Sequence, residues 1–335
     1  MIQLKNVTLR RSAKVLLDAA SVTLNPGEIV GLVGRNGAGK STLFALFNGT
    51  LHEDGGDFSI PKQWRLAQVA QDMPETEESA TDFVLGGDTK LAELRAVLHA
   101  AELSEDGMAM AHAHVDLADA GEHDAVPRAQ SLILGLGFRT AELDDPVNSF
   151  SGGWRMRVAL AAILFLEPEI LLLDEPTNYL DLEGTLWLQD YLAHYPRTVI
   201  LISHDRDLLD ESVDHILHLT GQKLTLYKGG FTSFDRQRRE RLLLDQKARR
   251  KQEMQRAHME SFINRFKAKA SKATQAQSRI KALEKMGTIA AVADTDVAPL
   301  TFPSPDKQAA SPIINLRNAA VGYEAGKPII RHLDL

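Results

Sequence analysis

The sequence predicts an α/β fold built on a buried, largely parallel sheet and followed by a long α-helical hairpin. Three observations carry this. Continuous apolar runs recur at Glu28–Val33, Glu169–Leu173 and Thr198–Ile202, as parallel strands covered on both faces require. A glycine-rich octapeptide, Gly34–Ser41, lies between the first of these runs and an amphipathic helix pattern. A stretch from Asp235 to Met286 contains neither Pro nor Gly and is filled with Arg, Lys, Gln, Ala and Glu, all good helix formers.

Taken in chain order, Pro26-Gly27 marks a turn before the first buried strand. Ser41–Asn48 reads as a helix with Leu43, Leu46 and Phe47 on one side. From Pro74 to Asp124 the chain holds 13 Asp/Glu against only Lys90 and Arg95, with Leu91, Leu94, Val97 and Leu98 at helical spacing. We read residues 74–130 as an acidic helical insertion within a domain covering 1–230. Residues 231–300 form a basic helical linker, as one long helix or two folded back with a tip within Phe262–Lys272. Asp235–Met286 carries 16 Lys/Arg and 6 Asp/Glu, a balance of +10. The whole chain carries −7, so the remainder carries −17. Such asymmetry points to an anionic partner for one segment.

The end of the chain repeats its beginning. Ile2-Gln3-Leu4-Lys5-Asn6-Val7 matches Ile314-Asn315-Leu316-Arg317-Asn318-Ala319, and with one inserted residue Lys14–Asp18 matches Lys327–Arg331. A repeat of this kind signals tandem architecture. Residues 301–335 are expected to be the start of a second domain, cut short at Leu335.

Composition narrows the function classes. With no cysteine, disulfides and thiolate metal sites are excluded. The N-terminal MIQLKNVTLRR lacks a signal-peptide core. The longest clean apolar run, Val158–Leu166, falls far short of the roughly 20 residues of a membrane helix. A cytoplasmic protein without an integral membrane segment is expected.

Four motifs carry chemistry. Gly34-Arg35-Asn36-Gly37-Ala38-Gly39-Lys40-Ser41 fits the phosphate-binding pattern G-x-x-x-x-G-K-[ST]. Its glycines let backbone N–H groups face phosphate oxygens, Lys40 neutralises the β and γ phosphates, and Ser41 offers a hydroxyl to Mg²⁺. Asp174-Glu175 ends the second apolar run. The first carboxylate can hold Mg²⁺ through water, and the next can polarise an attacking water. His204, in Ser203-His204-Asp205, ends the third run, where it could sense the γ phosphate. Ser151-Gly152-Gly153 opens a helix within 148–166. It is either an ordinary serine cap or an anion site serving a nucleotide held by another domain.

In this order, GRNGAGKST, SFSGGWRMR, LLLDEPTNYLD and ISHD resemble the ABC-type ATPases, a P-loop NTPase fold. The resemblance implies ATP as substrate with Mg²⁺, and ATP contacts from Gly34 to Thr42. It implies a Q-loop glutamine at Gln71, with Ser41, Gln71 and Asp174 around the metal. Glu175 would be the catalytic base, His204 the switch histidine and Asp181 the D-loop aspartate. Ser151-Gly152-Gly153 would be a signature acting in trans. The tandem layout with a basic linker looks like the ABC-F group, in its YheS-like branch, whose members act on ribosomes. That likeness implies the ribosome and transfer RNA as partners, with Arg265, Lys267, Lys269 and Lys272 as RNA contacts. It also implies two composite ATP sites, so this chain should hydrolyse ATP weakly without a second ABC domain or a homodimer. A transporter ATPase subunit and a DNA-associated ATPase are the alternative readings.

Overall fold

The computed structural model describes residues 1–12, 14–69, 73–104, 106–266, 273–285, 314–322 and 326–335. The chain divides into two compact units, Met1–Gln252 and Glu253–Leu335.

The first unit opens with β1 (Ile2–Arg11) and β2 (Lys14–Leu24), then β3 (Ile29–Gly34), α1 (Lys40–Phe47), β4 (Gly55–Ser59) and β5 (Leu66–Gln68). The predicted acidic insertion is helical: α2 (Ala80–Gly86), α3 (Thr89–Leu103), α4 (Gly107–Asp119) and α5 (Glu122–Gly135). Asp88 and Asp106 cap α3 and α4, each accepting two backbone N–H groups. The remaining elements are α6 (Gly152–Phe165), β6 (Ile170–Asp174), α7 (Leu182–Ala193), β7 (Thr198–Ile202), α8 (Arg206–Ser212), β8 (His215–Thr220) and β9 (Lys223–Lys228).

The main sheet has the order β5-β6-β7-β3-β8-β9, parallel except for the β8–β9 pair. A second, antiparallel sheet has the order β2-β1-β4. Burial on both faces explains the unbroken apolar runs. Leu171 and Leu173 of β6, with Val199 and Leu201 of β7, face a core built with α2, α5, α6, α7 and α8. Ile170, Leu172, Ile200 and Ile202 face the other way, towards α1 and the antiparallel sheet. Each fully buried Leu or Ile stabilises this arrangement by about 1.5–3 kcal/mol. Gly31 in β3 admits α8 at close range, because a Cβ there would lie 2.7 Å from Leu209 and 2.8 Å from Ile216.

The long helix α9 runs from Phe231 to Phe266, 36 residues. Its start is fixed within the first unit. Asp210 of α8 accepts hydrogen bonds from the Thr232 N–H (2.7 Å) and hydroxyl (2.6 Å). Phe231 and Phe234 pack edge-on to each other, and Phe234 packs likewise on Tyr227 and His218. The division between the two units falls inside this helix.

In the second unit α9 is followed by α10 (Ala273–Lys285), β10 (Ala319–Val321) and β11 (Ile330–Leu333). The guanidinium of Arg279 lies 3.6 Å from the Phe262 ring centre, so α10 returns beside the end of α9. This supports the folded-back form of the linker. Lys267, Lys269 and Lys272 lie outside the described residues, as does the side chain of Arg265.

β10 and β11 pair antiparallel, and their irregularities copy those of β1 and β2. Asn6 and Ala19 take φ of 51° and 42°; their counterparts Asn318 and His332 take 46° and 55°. The Asn6 N–H donates to Ser21 Oγ (2.8 Å), and the Asn318 N–H donates to Asp334 Oδ1 (2.6 Å). Non-glycine residues rarely adopt this left-handed backbone. Two pairs at matching positions therefore support the repeat beyond its letters. The apolar positions differ in their surroundings: Ile2 and Leu17 are fully buried, while Ile314 and Ile330 are more than half exposed.

Candidate functional site

β3, β6 and β7 are adjacent and parallel, so their C-terminal ends share one edge. Gly34–Ser41 leaves the end of β3, Asp174 ends β6, and His204 follows β7. A cleft of about 590 Å³ opens there, bounded by Asn36, Gly37, Gly39, Lys40, Ser41, Thr42, Asp174, Glu175 and His204. Sheets of this kind bind ligands at such an edge.

Glycine is required in the loop for stated reasons. Gly37 and Gly39 have φ of 73° and 112°. A Cβ on Gly34 would lie 2.8 Å from the Leu219 carbonyl oxygen. The loop thus closes tightly against β8 while its backbone curls. Lys40 Nζ donates to the Gly34 carbonyl (2.9 Å), spanning the loop, and Lys14 Nζ donates to the Gly37 carbonyl (3.1 Å).

Asp174 is half-buried, and burial pushes its carboxyl above the usual range. The Lys40 charge and a hydrogen bond from the Ser41 hydroxyl oppose that rise. Asp174, Ser41 and Lys40 therefore form one coupled group. Glu175 has φ 49°, and its N–H donates to the Ile202 carbonyl (2.8 Å), so the turn after β6 is anchored on β7. Its carboxylate accepts the His204 N–H (3.1 Å) at Oε2, and His204 Nε2 lies 3.3 Å from Oε1. The site brings together a phosphate-sized backbone cradle, a lysine, a hydroxyl–carboxylate pair and a carboxylate–imidazole pair. Among the described residues no group of three or more His, Asp or Glu side chains could hold a metal by itself. The Ser41 hydroxyl and Asp174 carboxylate are nevertheless hard oxygen donors. Mg²⁺ characteristically takes one or two of these plus substrate phosphates, so the residues fit that ion. Gln71 lies outside the described residues.

Ser151-Gly152-Gly153 lies away from this cleft, at the N-terminus of α6. Ser151 is the N-cap residue by backbone, but its side chain makes no capping hydrogen bond and is exposed. The hydroxyl is therefore not used for ordinary capping. Asp181 caps α7 through the Gly184 N–H (3.0 Å) and pairs with Arg157 Nη1 (3.0 Å). The Gly184 bond, more than the Arg157 pairing, holds its carboxyl below the usual range.

Sequence reasoning passed over Lys14 and Leu16, which line the cleft from the first hairpin, and the buried Arg157. The first two precede the loop by 20 and 18 residues and belong to no local motif. A closer signal existed for Arg157, an arginine directly before the apolar run Val158–Leu166.

Comparison with known proteins agrees with this geometry. A family model described as ABC transporter matches residues 17–178, and an extension model with the same description matches 217–302. "Probable ATP-binding protein YheS" of Escherichia coli strain K12 is 44% identical over 323 residues, 96% of this chain and 50% of the relative. "ABC transporter F family member 3" of Arabidopsis thaliana is 37% identical over 357 residues, 99% of this chain and 49% of the relative. The chain thus spans about half the length of the curated relatives it matches. A solved structure described as "Structure of ATP binding subunit of ABC transporter" shares the fold, with TM-score 0.52 at 20% identity, covering 71% of this chain and 92% of that one.

Proposed function

The chain belongs to the ABC family of ATP-binding proteins, alongside its YheS-like F-group members, and on that premise we propose that it binds and hydrolyses ATP and acts on the ribosome. The observation that carries the reading is the convergence of Gly34–Ser41, Asp174, Glu175 and His204 on one cleft, in a chain that continues into the 36-residue helix α9.

In this reading the triphosphate lies along the backbone N–H groups of Gly34–Thr42, with Lys40 between the β and γ phosphates. Ser41, Asp174 and Gln71 would hold Mg²⁺, which would supply positive charge to the phosphates. Glu175 orients and polarises the attacking water. His204, already paired with Glu175, keeps that carboxylate aimed and reports on the γ phosphate. Ser151-Gly152-Gly153, with its unused hydroxyl at a helix N-terminus, closes on a nucleotide held by another ABC domain. This chain supplies the Lys40 half of one composite site and the Ser151 half of another. Its turnover alone is therefore weak and rises with self-association.

The ribosomal part rests on the basic helical linker. Lys and Arg on such a helix supply phosphate affinity without sequence readout. Arg265, Lys267, Lys269 and Lys272 at the tip would approach transfer RNA. None of the helices among the described residues is long and apolar enough to cross a membrane; what favours the ribosomal reading over a transporter subunit is the long basic helix α9, which a transporter subunit does not call for. The test is sedimentation of the chain carrying Glu175→Gln, with and without ATP. ATP-dependent retention on ribosomes is expected. Retention on DNA or membranes instead, or no ATP dependence, overturns the ribosomal reading.

A further inference from the structure

We propose that Arg157 is a positioning residue that sets the place of Glu175 by joining the helix behind Ser151-Gly152-Gly153 to the turn 175–181.

Arg157 sits six residues into α6 from Ser151, yet its side chain is only 9% exposed. A buried guanidinium persists only when its charge and donors are matched. Here its acceptors come from two separate places, the turn 175–181 and the end of α5. Nε donates to the Tyr179 carbonyl (2.7 Å), at the end of a 3-10 turn over Pro176–Tyr179. Nη1 donates to the Leu136 carbonyl (3.0 Å), just past α5, and to Asp181 Oδ2 (3.0 Å). The guanidinium also lies 4.2 Å from the Trp154 ring centre. The neighbouring backbone is shaped around it: a Cβ on Gly137, which has φ 98°, would stand 2.9 Å from Nη1.

The consequence lies in how the 175–181 turn is held. At its start the Glu175 N–H is bonded to Ile202 on β7. At its end, Tyr179 and Asp181 are bonded to Arg157. The Glu175 carboxylate is carried by a short segment pinned at both ends, one pin on the sheet and one on the signature helix. Displacement of α6, such as docking of Ser151 on a second nucleotide would impose, therefore reaches Glu175 through Arg157. None of the phosphate-loop residues bonds to Arg157, so ATP affinity is set elsewhere. Lysine cannot replace it, because one ammonium on a flexible stem does not match a planar fork with acceptors on two sides.

This inference rests on the hydrolytic reading above, and two measurements on the whole chain separate them. Arg157→Lys is compared with the unaltered protein for affinity towards a fluorescent ATP analogue, phosphate release in a single turnover with protein in excess, and amide deuterium exchange. We expect affinity within about threefold, phosphate release lowered more than tenfold, and exchange at Glu175–Leu180 accelerated at least tenfold while Leu171–Leu173 is unchanged. Asp181→Ala removes the half-exposed carboxylate with both its Arg157 pairing and its cap on α7, and should lower release severalfold at unchanged affinity, with melting recorded to separate the cap's contribution. Equal release, or affinity falling in parallel with release, overturns the positioning role. If the unaltered chain releases no phosphate, the hydrolytic reading fails, and the exchange result alone decides: unchanged exchange at 175–180 overturns the pin.

Discussion

Replacing Gly39 by alanine should harm the nucleotide site by an amount the backbone already bounds. Gly39 has φ 112° and ψ 19°, a conformation that costs an L-residue about 1–3 kcal/mol. Its new Cβ would stand 3.2 Å from Leu16 Cβ and 3.3 Å from Leu16 Cδ1, so Leu16 must also give way slightly. The strain has two outlets. If the loop keeps its shape, the folded state carries the cost, and the melting temperature falls by roughly 2–4 °C per kcal/mol for a unit of this size, with ATP affinity unchanged. If the loop relaxes, ATP must restore the cradle, and affinity falls by roughly 5- to 150-fold, at about tenfold per 1.4 kcal/mol, with little change in melting. Mixtures share the same total. Gly37→Ala is the internal comparison: φ is 73° but no atom lies within 4 Å of its added Cβ. Only the left-handed backbone cost of about 1–2 kcal/mol applies there. Melting curves and fluorescent-nucleotide titrations of the two variants decide. If Gly39→Ala leaves both quantities unchanged, the geometric reading of the loop is wrong.

Other expectations follow from the same geometry. Lys40→Ala should lower ATP affinity at least tenfold, since a hydrogen bond to a charged group contributes about 1.5–3 kcal/mol; melting should fall slightly, because the change removes one bond to the Gly34 carbonyl and a charge beside Asp174. Glu175→Gln should keep ATP affinity and abolish phosphate release, measured in one sample by titration and phosphate assay. His218 is packed against Phe234 and Tyr227, and burial, with Arg238 nearby, lowers its pKa to about 4. The unfolded chain then binds more protons between about pH 6.5 and 4. The stability due to neutral His218 is full above 6.5 and is lost as pH falls through that window. Partial exposure limits the effect to about 1–2 kcal/mol. Denaturant midpoints at pH 7 and 4.5 should show it, and His218→Gln should flatten the difference. Leu201→Ala, fully buried in β7, should cost about 2–5 kcal/mol in the same denaturation.

Much of the fold was legible because its signals are local. The run Thr198–Ile202 is β7 to the residue, and Ile170–Asp174 lies one residue from the expected strand. Both are apolar throughout because each face of the sheet has its own core. The glycine loop was legible because its spacing encodes a backbone curl that other residues resist, and φ at Gly37 and Gly39 shows that curl. Two matters were left open by the letters. The linker could be one helix or two, since helix propensity says nothing of whether a helix turns back. Ser151 could be a cap or an anion ligand, since both use the same residue type; its side chain makes no cap bond.

The sequence by itself determined which segments become buried strands, where a glycine-rich loop curls at the edge of the sheet, and that residues 314–331 echo the letters of the first hairpin. Those properties depend on neighbours a few residues away, or on comparing one stretch with another. Only the tertiary structure decided what stands around the cradle and what holds Glu175 in place. Arg157 meets acceptors at positions 136, 179 and 181, and the cleft draws Lys14 and Leu16 from the first hairpin beside Asp174 and His204. Such meetings depend on how helices pack on a sheet, and no spacing along the chain records them.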